Sequence, residues 1–166
     1  MNNNNIKKIV MCGFGMAVVF VLTAFVAVPI GQFGYVNLGD SGVMLFASLL
    51  NPALAFLVGG IGSASADLYL GFSQYAIFTF IIKGLEAVVV SYVFKMLKGK
   101  VSYFGFLLAI VVMVFGYYLT DAILYGDFIV ALGGVGFNFM QGMVSLIVAC
   151  ILQTLFSKTA TKYFVN

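Results

Sequence analysis

Long apolar runs, each closed by glycine, proline or a cluster of lysines, divide the chain into a succession of predicted helices. After a polar N-terminal tail, Met1 to Lys8, the first run covers about Ile9 to Val28 and stops at Pro29. A glycine-rich polar loop follows, Gly31-Gln-Phe-Gly-Tyr-Val-Asn-Leu-Gly39. The stretch from Ser41 to Leu70 is apolar but broken at Asn51-Pro52, because the residue before a proline is driven out of the helical region. Further runs cover about Tyr75 to Met96, Tyr103 to Tyr125 and Ala131 to Phe156. No tandem repeat interrupts this pattern, and residues 1–166 read as a single transmembrane domain.

Composition names the solvent. Of the 166 residues, 63% are hydrophobic and 8% charged, against ~45–50% and ~25% in an average soluble domain. So few charges cannot clothe a water-soluble fold of this size, which excludes a soluble enzyme, a nucleic-acid binder and a disordered tail. The chain is expected to be an all-α, polytopic protein of the lipid bilayer. The first apolar run exceeds the ~7–15 residues of a secretory signal core, and Ala24 and Ala27 lack cleavage-site spacing, so it reads as a retained helix. All basic residues are lysine, and histidine is absent. Without histidine or a Cys-x-x-Cys pair the usual zinc, haem and iron–sulfur ligand sets are missing, so neither metal nor cofactor is expected. Cys12 and Cys150 fall in apolar runs and read as packing residues.

Charge placement sets topology. Lysines outside the spans lie at 7 and 8, at 95, 98 and 100, and at 158 and 162. The positive-inside rule assigns all three clusters to the cytoplasm. The segment 41–70 must then cross an even number of times, as two helices meeting at Asn51-Pro52, the first of them short, or as a re-entrant pair. Six transmembrane helices with both termini cytoplasmic result.

Ionisable groups inside spans are costly and mark function by default. Here they are Asp67, Lys83, Glu86 and Asp121, with Asn138 and Gln141 as neutral companions. At ~1.5 Å per residue nearly all fall in the outer half, which suits an outward-facing pocket better than a continuous ion path. Tyr117 and Asp121 stand i,i+4; Thr79, Lys83 and Glu86 share a face; Asn138, Gln141 and Ser145 share another. Competing structural roles are open: Lys83 and Glu86 as a self-neutralising i,i+3 pair, Asp67 as a loop anchor, Asp40 as a helix N-cap, and Asn138 with Gln141 as interhelical glue. Tyr117 with Asp121 is the first candidate for ligand contact. Small residues form two stripes, Gly13, Ala17 and Ala24 in the first helix, and Ala55, Gly59 and Ser63 with Gly62 and Ala66 in the third. Such stripes serve close packing, within the bundle or against another membrane protein. No P-loop, H-E-x-x-H or G-x-S-x-G motif occurs, and a Ser–His dyad is impossible, so no enzyme is expected.

The series Gly34-Tyr-Val-Asn-Leu-Gly-Asp40, Leu50-Asn-Pro52, Gly59-Gly-x-Gly62, Ala66-Asp-Leu68, Gly71, Tyr75, Phe78-Thr79, Lys83-Gly84 and Asn138-x-x-Gln141 resembles the substrate-binding S components of energy-coupling factor (ECF) vitamin transporters. It is most similar to their riboflavin, hydroxymethylpyrimidine and pyridoxine-type branch. The resemblance implies six helices, a vitamin bound at the outer side with the loop after the first helix closing over it, and docking on a transmembrane T subunit powered by two ATPase subunits. Gly13 and Ala17 occupy the place of the family's Ala-xxx-Ala docking motif. The absence of tryptophan argues against a thiamine or biotin specificity. Substrate contact is expected from Asn37, Tyr75, Lys83, Glu86, Tyr117, Asp121, Asn138 and Gln141, with Asp40 and Asp67 as gate or structural residues. Three acids against one base in the outer half favour a donor-rich or weakly basic heterocycle, of pyridoxine or hydroxymethylpyrimidine type, over an anion. Riboflavin is the alternative ligand, and a self-sufficient small carrier or channel the alternative function.

Overall fold

The computed structural model describes residues 3–30 and 34–160; residues 31–33 of the predicted loop and Lys162 lie outside them. Among the described residues there are six α-helices, as expected: α1 (Asn3–Ala24), α2 (Gly39–Leu49), α3 (Pro52–Leu70), α4 (Ser73–Met96), α5 (Phe104–Tyr125) and α6 (Phe128–Ala160). A short 3-10 turn, Gly99–Tyr103, precedes α5. Between α1 and α2, β1 (Val28–Pro29) and β2 (Tyr35–Val36) pair antiparallel, Val28 opposite Val36 and Pro29 opposite Tyr35.

The first helix is displaced towards the N-terminus relative to expectation. Its helical course takes in Lys7 and Lys8, and it ends at Ala24 rather than Val28. Pro29 forces extended geometry on Val28, and both residues enter the hairpin instead. The last helix starts earlier than Ala131, because the Asp127 side chain accepts the backbone N–H groups of Ile129 (2.6 Å) and Val130 (3.1 Å). The break at Asn51-Pro52 is where the sequence placed it. Asn51 accepts the N–H of Leu54 at 3.0 Å, Pro52 opens α3, and the orphan carbonyl of Leu50 takes the Ser91 hydroxyl at 2.7 Å.

Among the described residues five stretches are long and apolar enough to cross a bilayer: Ile6–Ala24, Pro52–Leu70, Ser73–Met96, Gly99–Tyr125 and Phe128–Phe156. The protein is a multi-pass membrane protein. The exception is α2, whose 11 residues reach roughly 16 Å at 1.5 Å per residue. It is buried from Gly39 to Ala47, enclosed by α1, α3, α4 and α6. Around it the core closes on Val19, Val43, Met44, Val58, Val90 and Phe106.

The small residues of α3 turn inward: Ala55, Gly59, Gly62, Ser63 and Ala66 are all buried. A Cβ on Gly59 would collide with the carbonyl oxygen of Lys83, so α3 and α4 pack backbone against backbone at the level of that lysine. This stripe serves internal packing. The α1 stripe divides: Ala24 is buried, whereas Gly13 and Ala17 face outward, and a Cβ on Gly13 would meet nothing within 4 Å.

Candidate functional site

The polar side chains predicted within the spans gather at the end of the bundle that the β1–β2 hairpin covers. They line a narrow cavity of about 40 Å3, room for a few water-sized spheres by the yardstick of ~10–15 Å3 for one. Of the predicted substrate contacts, Asn37, Tyr75, Lys83, Tyr117, Asp121, Asn138 and Gln141 line it, and Asp67 does as well. Glu86 does not; it lies a turn below Lys83, fully buried.

Tyrosines pin the upper tier. Tyr35 on β2 donates to Asp67 Oδ1 at 2.6 Å, joining the hairpin to α3. Burial and the neighbouring Asp67 carboxylate push the Tyr35 phenol well above its ordinary pKa, so it stays a donor. Tyr75 donates to Asp121 Oδ1 at 2.8 Å and lies 3.0 Å from the Tyr125 hydroxyl. Tyr117 and Asp121, the first candidates for ligand contact, both line the cavity, each with a partner on α4: Tyr117 bonds Thr79 at 3.1 Å, and Asp121 accepts from Tyr75. Residues i,i+4 on one face both look into a bundle, and the helix they meet decides their partners. Phe72 packs between Tyr35 (5.1 Å between centroids) and Tyr75 (6.5 Å), giving the cavity an aromatic wall.

The lower tier is ionic. Lys83 pairs with Asp40 and, at 3.0 Å, with Glu86; its ammonium also lies 5.4 Å from the Tyr117 ring centroid. The three ionisable groups are 0–2% exposed. Asp40 is thus not a helix N-cap. The residue preceding α2 is Leu38, with no side-chain cap, and Asn37 Oδ1 takes the Gly39 N–H at 2.8 Å instead. Lys83 and Glu86 are likewise more than an isolated i,i+3 pair, because the lysine is shared with a helix 43 residues earlier. Gln141 joins the tiers, accepting from Asn37 N at 2.9 Å and donating to Asp40 Oδ2 at 2.7 Å.

Two buried side-chain oxygens on the cavity wall, the carboxylate Oδ2 of Asp67 and the hydroxyl of Ser63, make no hydrogen bond of ordinary geometry. Ser63, Thr23, Tyr35 and Phe72 are wall residues the sequence did not single out as ligand contacts. Tyr35 had a visible signal, a tyrosine beside glycine in a loop next to an acidic span. Ser63 had none, being indistinguishable from the small residues around it. With Asp40 added, the buried ionisable groups among the described residues are four acids, Asp40, Asp67, Glu86 and Asp121, against Lys83.

A family model described as "ECF-type riboflavin transporter, S component" matches residues 3–158. The chain belongs to the S components of ECF-type transporters. Among curated proteins, this S component is 32% identical over 161 residues to the "Thiamine precursor transporter HmpT" of Lactococcus lactis subsp. cremoris (strain MG1363), covering 96% of this chain and 93% of the relative. It is 37% identical over 139 residues to an "Uncharacterized protein in gap 3'region" of Pyrococcus woesei, covering 81% and 88% respectively. Among solved structures, that of "the S component of a bacterial ECF transporter" shares the fold, with a TM-score of 0.76 and 20% identity over 93% of this chain and 98% of that one. The S component is accordingly a non-enzymatic membrane subunit that binds a vitamin-type substrate and works with an ECF module.

Proposed function

We propose that this S component binds a small heterocycle of hydroxymethylpyrimidine or pyridoxine type in the hairpin-covered cavity. The observation that carries the proposal is Asp67 Oδ2, a buried acceptor with no hydrogen bond of ordinary geometry, beside the unpaired Ser63 hydroxyl on an aromatic wall. A buried acceptor left unmatched costs about 1–3 kcal/mol, so a substrate rich in N–H and O–H donors gains most there. An anionic vitamin would instead face Asp67 and Asp121. The relative named for a thiamine precursor supports the same class. Ring stacking falls to Tyr75 or Tyr117, and polar contact to Asp121, Asn138 and Gln141, with Asn37 in the cover. Lys83 and Glu86 organise the floor, Lys83 at the wall and Glu86 behind it.

Riboflavin is the second candidate, favoured by the description of the family model. In this proposal residues 1–166 form one substrate-binding domain with both termini cytoplasmic and the cavity open to the outside. Gly13 and Ala17, outward on α1, meet the transmembrane T subunit, and two ATPase subunits power uptake. Calorimetric titration of the purified protein with hydroxymethylpyrimidine, pyridoxine, riboflavin and pantothenate tests the substrate class. Tight binding of hydroxymethylpyrimidine or pyridoxine is expected, and preference for riboflavin or an anion overturns it.

A further inference from the structure

Asp40 is 1% exposed and does not line the cavity, yet its two oxygens hold the groups that do. Oδ1 takes the Lys83 ammonium, and Oδ2 accepts Gln141 Nε2 at 2.7 Å. A carboxylate only accepts hydrogen bonds and a backbone N–H only donates them. Gln141 stands between one of each, Asp40 on one side and the N–H of Asn37 on the other. A single amide orientation satisfies both: Nε2 towards Asp40 and Met113 Sδ (3.6 Å), Oε1 towards Asn37 N (2.9 Å) and Nδ2 (3.4 Å). Asn37 in turn holds Gly39 N at 2.8 Å, so the link from β2 to α2 is tied to the same network. An unbroken chain of polar contacts runs from Glu86 and Lys83 on α4, through Asp40 on α2 and Gln141 on α6, to the segment behind the hairpin.

We propose that Asp40 is a positioning residue for substrate binding: by fixing the Gln141 amide it holds Asn37, and with it the hairpin, over the cavity. This rests on the cavity being the substrate site. Removal of Asp40 frees the amide to rotate, the Asn37 N–H loses its acceptor, and the hairpin opens more often. Substrate then escapes faster although Asp40 itself does not line the cavity.

The test uses the full chain in nanodiscs, with Cys12→Ala, Cys150→Ala and one thiol introduced by Val36→Cys, at the groove between hairpin and α6. Labelling by a water-soluble maleimide is followed without substrate. Asp40→Ala leaves Lys83 its Glu86 counter-charge, and Gln141→Leu cuts the same link without touching a charge. Each is expected to speed labelling about five- to tenfold, the weight of one hydrogen bond, and the double variant no further than either alone. In a parallel protein retaining only Cys12, buried in the core, labelling is expected to stay at the parent rate. Parent-rate labelling of the Val36→Cys thiol in either variant, additive effects, or equal acceleration at Cys12 overturns the proposal. If Asp40→Ala does not fold, Gln141→Leu with the Cys12 comparison decides. Because no substrate is present, failure of the vitamin titration overturns the substrate class and leaves this result standing.

Discussion

Replacing Asp67 with asparagine exchanges one carboxylate oxygen on the cavity wall for an amide nitrogen. The Tyr35 hydroxyl, a donor 2.6 Å from Oδ1, keeps the amide oxygen on its own side, so the hairpin anchor survives. The nitrogen takes the place of Oδ2, an acceptor that makes no hydrogen bond of ordinary geometry. A substrate N–H or O–H that met a carboxylate now meets another donor. A hydrogen bond to a charged group contributes about 1.5–3 kcal/mol, so affinity is expected to fall about ten- to 150-fold. Thermal stability is expected to hold, because the Tyr35 contact remains and a buried charge has been removed rather than stranded. Calorimetry with hydroxymethylpyrimidine, beside a melting curve, reads both quantities. Tyr35→Phe is the companion measurement, since it removes the anchor and leaves the carboxylate. Unchanged affinity in Asp67→Asn would refute the reasoning, and so would equal losses in the two variants, which would reduce Asp67 to a hairpin anchor.

Asp121→Asn keeps an acceptor for Tyr75 at 2.8 Å but removes charge from the wall, and is expected to weaken binding about tenfold or more; parent affinity by calorimetry would remove Asp121 from the site. Ala17→Leu adds bulk to the outward face of α1 and is expected to abolish co-purification with the T subunit and ATP-driven uptake while vitamin affinity stays at the parent value; intact uptake would place docking elsewhere. In cells expressing the Asn37→Cys protein, impermeant reagent is expected to label from outside, and the Lys98→Cys thiol only after permeabilisation. The reverse pattern would invert the topology.

The helices were legible because lipid-spanning segments need long apolar runs, and because proline at 29 and 52 acts on backbone conformation wherever it stands. Thr79, Lys83 and Glu86 were legible as one face for the same local reason, the helical repeat. The role of Asp40 was not. Beside Gly39 and before an apolar run it carries every local mark of an N-cap, and what overrides them is Lys83 and Gln141, 43 and 101 residues further on. The partner of Asp121 was hidden similarly. Periodicity places Tyr117 beside it, but the α4–α5 packing delivers Tyr75 to it and leaves Tyr117 with Thr79. Local rules placed side chains on faces; pairing between faces is a property of the assembled bundle.

The enclosed short helix bears on how the chain enters the membrane during synthesis. Eleven residues fall well below the ~20 that an inserting helix needs to cross, so α2 is expected to enter together with α3 as one hairpin turned at Asn51-Pro52. Its Asp40 arrives before any counter-charge exists. At the centre of a span an aspartate or a lysine costs roughly 2.5–3.5 kcal/mol on the insertion scale, a penalty that Lys83 meets in mid-helix and Asp40, in the first turn of α2, meets in part. Both penalties are relieved together only when α4 has been made and Lys83 reaches α2, with Gln141 following on the last helix. A nascent chain halted before α4 would therefore hold its central helix under an unrelieved charge. That makes it a natural object for membrane chaperones and proteases, until the second half of the bundle is released from the ribosome.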